Sequence, residues 1–77
     1  MENPIYEQFL GKAQDAVHGG DRAWSVQSTG ERLAVALALN RFDWLSAMGY
    51  TIPEAIDRLD QEWVALIPVV AKALRDT

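Results

Sequence analysis

The chain has 77 residues and no cysteine, so it reads as a single small domain (1–77) held by packing or self-association, without disulfides or thiolate metal sites. Its formal charge of −4, with seven scattered Lys and Arg, argues against non-specific attraction to nucleic acid or anionic lipid. An apolar fraction of 49% is high for a domain with so much surface, which leaves apolar side chains for a partner.

The N-terminal Met1-Glu2-Asn3-Pro4 has no basic start followed by an apolar core, so no signal peptide is expected. Asn3 before Pro4 predicts a helix start, because Asn caps free amides and Pro at the first helical position has no amide to leave unpaired. Ile5, Phe9, Leu10, Ala13, Ala16 and Val17 then share one face, the expected core stripe, and Gly19-Gly20 ends the helix. Gly11 lies on the opposite face, where it costs roughly 1 kcal/mol against Ala; close approach of another backbone is one reason for it and neutral drift another. Residues 20–27 read as a linker that Trp24 pins to the core.

Ser28-Thr29-Gly30-Glu31 matches a capping box and opens Leu33-Ala34-Val35-Ala36-Leu37-Ala38-Leu39, a run with no polar break. A helix apolar all round must be enclosed, so it is expected to be central. Continued to Met48, that helix would place Arg41 beside Leu37 and Leu45, where a guanidinium needs a carboxylate. Either the helix breaks near Asn40-Arg41-Phe42, or Arg41 is held by an acid such as Asp43 or one from another segment; the break is the favoured expectation, with Asp43 starting a short turn that Gly49 ends. Thr51-Ile52-Pro53-Glu54 is a second capping box, and the helix that follows is expected to bury Ile52, Ala55, Ile56 and Leu59. Asp60 is expected to cap a last helix with Trp63, Leu66, Ile67, Val70, Ala71 and Leu74 inside, Pro68 outside as a bend, and Val69 off the stripe. No stretch is long and apolar enough to span a bilayer; Val64 to Ala71, an uncharged apolar run, contains Pro68. The fold class is all-α: a small orthogonal or bundle-like array of four to five helices around a buried central helix.

The chemistry-bearing candidates are few. His18 and Asp21 are two ligands where zinc needs three or four, and they suit a solvated helix end. Asp57, Asp60 and Glu62 are accounted for as helix-end acids, and the serines lack a nucleophile elbow. The helices from Thr51 and Gln61 are spaced like a helix-turn-helix, but the second begins Asp60-Gln61-Glu62, which does not suit a DNA-reading helix. No catalytic, cofactor-binding or metal residue is assigned.

The stretch from Ser28-Thr29-Gly30-Glu31 through Asn40-Arg41-Phe42-Asp43-Trp44-Leu45 to Met48-Gly49-Tyr50-Thr51 resembles a class of short, uncharacterised all-helical bacterial proteins found in genomes and their mobile islands. The resemblance covers about half the chain and implies no activity.

The expectation is a non-enzymatic, cytoplasmic protein that binds another protein, as a homodimer or as an accessory subunit, without direct nucleic-acid or membrane contact. Its interface would draw on Val69 and on aromatic residues spared by the core. The alternative is a small-ligand module around Trp24, Arg41, Asp43 and Trp44, with Arg41 meeting an anion. A third reading is an acidic partner of a DNA-binding regulator.

Overall fold

A computed structural model describes residues 3–76; Met1 and Glu2, part of the start read as lacking a signal peptide, and Thr77 lie outside the described residues. Among those residues the chain is all-α, with helices α1 (Pro4–Ser25), α2 (Thr29–Ala38), α3 (Phe42–Ala47), α4 (Ile52–Arg58) and α5 (Gln61–Arg75). Helix α2 packs against each of the other four, and α1 also packs against α5. The centre of the fold is thus the apolar segment, whose Leu33, Val35 and the alanines Ala34 and Ala36 are fully buried. Enclosure stops there: Leu37, Ala38 and Leu39 are half-buried, because the helix ends at Ala38 near the surface.

Local chemistry sets the boundaries. The Asn3 side chain accepts from the Ile5 and Tyr6 amides, and Ser28 with Glu31 and Thr51 with Glu54 form complete capping boxes. Helix α2 ends in a Schellman motif: Asn40 takes φ 56°, its amide donates to Leu37, and the Arg41 amide donates to Ala36. Helix α3 ends the same way, with Gly49 at φ 78° and amide bonds from Gly49 to Ser46 and from Tyr50 to Leu45.

Several expectations are corrected. Residues 20–27 are not an extended linker: Gly20 (φ 66°, ψ −150°) breaks α1, and a further helical turn runs to Ser25. The break redirects the chain so that Trp24 reaches the core, where it is buried. Val17, expected inside, is 54% exposed, because beside it lies a cleft shared with Leu74 and not a covering helix. Ile52 and Ile56 are 37% and 42% exposed, since α4 is seven residues long and meets α2 through Ala55, its one buried residue. Asp60 occupies the N-cap of α5 but its side chain accepts no cap bond; its carbonyl instead accepts from Val64. The α5 stripe is inward as expected, Pro68 faces out, and Val69 is 48% exposed.

Candidate functional site

The sequence candidates Trp24, Arg41, Asp43 and Trp44 come together where α1, α2 and α3 meet. Trp24 and Trp44 stack with ring centroids 4.5 Å apart and planes at 12°. The guanidinium carbon of Arg41 lies 4.0 Å from the Trp44 centroid, and that of Arg32 lies 5.7 Å from the Trp24 centroid. The result is a four-layer column of cation, indole, indole, cation, in which each ring face meets a partner suited to its negative quadrupole or its apolar area. The column is tied at its edges. Trp24 Nε1 donates to the Arg32 carbonyl at 2.9 Å, and Trp44 Nε1 donates to Asp21 Oδ1 at 2.5 Å.

Arg41 is held by two carboxylates. Its Nε and Nη2 donate to the two carboxylate oxygens of Asp43 at 3.0 and 2.8 Å, and Nη2 stands 3.6 Å from Asp21. The hydrogen bond with Asp43 raises the Arg41 pKa and lowers that of Asp43. Both expected resolutions of the awkward Arg41 therefore occur together: the helix breaks before it and an acid holds it. An anion arriving at Nε and Nη2 would have to displace the Asp43 carboxylate, and both indoles are buried.

Two contributors were not legible beforehand. Asp21 is drawn to Trp44, 23 positions away, and not to His18; no local spacing signals such a pair. Arg32 is in the sequence only one of the scattered bases, yet its guanidinium lies over the Trp24 ring. Nearby, buried Gln27 donates to the Lys12 carbonyl at 2.9 Å and closes the loop before α2.

Val69 lies on α5, outside this cluster. It belongs to a second kind of feature, large apolar side chains left in solvent: Val17, Val26, Phe42, Ile52, Ile56 and Val69. The surface also carries clefts. One of about 430 Å³ runs between α4 and α5, lined by Ile56, Asp57, Leu59, Gln61, Val64 and Ala65. Another, of about 490 Å³, lies between the ends of α2 and α5 beside Ala38, Leu39 and Ala71. A smaller, more polar one of about 220 Å³ adjoins Ser28, Glu31, Arg58 and Trp63. Among the described residues no helix is long and apolar enough to cross a membrane, and no group of three or more His, Asp or Glu is placed to hold a metal ion.

No family model, curated protein or solved structure matches the chain.

Proposed function

We propose that this is a non-enzymatic, cytoplasmic accessory protein that works by binding another protein through its exposed apolar side chains. The observation that carries the reading is the position of Ile52 and Ile56: they lie on a stripe with core periodicity, yet both are exposed. A chain this short has little stability to spare, so apolar side chains held in solvent are better accounted for by a partner than by the fold. Self-association through the Val69 side of α5 is the homodimer form of the same reading. The small-ligand reading is less favoured, since Nε and Nη2 of Arg41 already meet the Asp43 carboxylate.

The test combines light scattering after size-exclusion chromatography, over a hundredfold range of concentration, with photo-crosslinkers placed at Ile56 and Val69 in cells. A dimer, or a discrete crosslinked product absent from a control position at Lys72, is the expected result. A monomer at every concentration with no crosslinked product from either position overturns the reading.

A further inference from the structure

The two ends of the tryptophan column differ in one respect. At the Trp44 end the Arg41 guanidinium is held by Asp43 through two hydrogen bonds and stands near Asp21. At the Trp24 end the Arg32 guanidinium takes the same place over its ring, yet among the described residues it pairs with no carboxylate. The acid beside it in sequence, Glu31, is engaged by the Ser28 amide, by Gln8 and by Lys12. Of the three guanidinium nitrogens of Arg32, only Nε is shut from solvent without an acceptor. The two terminal nitrogens remain accessible.

The fold gives this cation no electrostatic return beyond its stack on Trp24. Arg32 is the fourth residue of α2, where the helix end carries partial positive charge and favours an acid. The residue is nonetheless well placed to meet a partner: Trp24 Nε1 bonds to its carbonyl, the indole supports its guanidinium, and it is half-buried. Such a side chain gives up little freedom on binding. The corner that joins α1 to α2 also carries Val26, which at 82% is the most exposed of the large apolar side chains. A planar guanidinium backed by an aromatic ring matches a carboxylate in shape and charge, and an Arg with apolar contacts around it is a common composition for the centre of an interface. We infer that this corner is a contact for an acidic side chain of a partner protein, whose carboxylate does at Arg32 what Asp43 does at Arg41, with an apolar neighbour resting on Val26. The inference rests on the protein-binding reading and deepens it by naming a contact and its chemistry.

The probe is a set of capped peptides of about ten residues that share a leucine beside one variable position, Asp, Asn or Lys, titrated into the isotopically labelled full chain. The readouts are the Nε–Hε signals of Arg32 and Arg41, protected by burial and by hydrogen bonding respectively, and the amide of Val26. The Asp peptide should bind saturably and move the signals of Arg32 and Val26 while leaving that of Arg41 in place. It should bind at least about tenfold tighter than the Asn peptide, with the advantage shrinking as salt rises, and the Lys peptide should bind weakest. Arg32→Met keeps an apolar stem over Trp24 and removes the charge, so it should weaken the Asp peptide about tenfold and leave the Asn peptide unchanged. Equal binding of the Asp and Asn peptides in the parent chain overturns the inference, whatever the variant does to stability. So does binding indifferent to Arg32→Met, movement of Arg41 in place of Arg32, or no saturable shift at millimolar peptide. An Arg32 signal that moves with protein concentration alone also overturns it, because the carboxylate then comes from a second copy of the chain. If the Asp peptide fails while crosslinks form from Ile56 or Val69 in cells, the protein-binding reading stands and only the carboxylate contact is wrong.

Discussion

Trp24 and Trp44 lie face to face, 4.5 Å between centroids, although they come from different helices. This stack holds the last turn of α1 against α3, and it should dominate the stability of that end of the molecule. Truncation by Trp24→Ala removes the stack, the buried indole and the bond to the Arg32 carbonyl, at a cost of about 3–5 kcal/mol. A domain of this size has roughly 4–12 kcal/mol in total, so the variant should lose about a quarter or more of its stability. Trp24→Phe keeps a ring and loses the hydrogen bond, at about 1–2 kcal/mol. Urea unfolding followed by circular dichroism separates the two; equal losses would show that the ring contact contributes little.

Gly20 adopts φ 66° and ψ −150°, a region open almost only to glycine. Gly20→Ala should cost about 1–3 kcal/mol, although an added Cβ would meet nothing within 4 Å. Strain in the backbone is the cause, and it falls on the turn that delivers Asp21 to Trp44. The amide shifts of Trp24 and the indole proton of Trp44 should therefore move together in this variant. Unchanged shifts with unchanged stability would mean that the break does not set the geometry of the column.

These relationships mark how far the sequence could be read. The helix starts were legible because Asn3, Ser28 and Thr51 act on amides two or three residues away. The ends at Asn40 and Gly49 were legible for the same local reason. Arg41 drew notice because a guanidinium beside Leu37 and Leu45 is costly, and Asp43 was within two positions to answer it. The gap between Asp21 and Trp44 is 23 residues, and the bond depends on the exact angle of the break at Gly20, which periodicity does not encode. Periodicity also marks Ile52 and Ile56 as one face with Ala55 without saying whether anything covers that face. The cleft between α4 and α5 appears only once α4 is seen to lean on α2.

Acid should weaken the fold, and part of the loss traces to Glu31. Burial raises its pKa, but the hydrogen bonds from Gln8 and Ser28 and the charge of Lys12 outweigh this and hold it below its ordinary value. A carboxyl whose folded pKa is lowered releases its proton more readily in the folded state than in the unfolded one. Its contribution is complete above the ordinary carboxylate pKa and is lost as pH falls through the lower folded value. Asp43 and Glu54 are shifted the same way and act with the same sign. The urea midpoint should fall between about pH 6 and about pH 3, and Glu31→Gln should lower it at pH 6 while flattening its slope. Parallel pH curves for parent and variant would rule out Glu31 as a contributor.

Gly11 sits inside α1 with helical geometry, and a Cβ built there meets nothing within 4 Å. Gly11→Ala should therefore stabilise the monomeric fold by about 0.5–1 kcal/mol, since Ala loses less conformational freedom on entering a helix. The same substitution distinguishes the two reasons for a glycine here. If it is drift, the midpoint rises and the association state does not change. If another backbone packs closely on this face, the monomer is stabilised while crosslinking or dimer formation weakens, because the added methyl meets the partner. Gly19 provides the contrast within the same helix: a Cβ there would lie 2.5 Å from the Ala23 Cβ, so Gly19→Ala should destabilise by about 1–3 kcal/mol. Measured side by side by thermal unfolding, the two alanine substitutions should shift the midpoint in opposite directions; a rise in both would refute the argument for Gly19, and a fall in both the argument for Gly11.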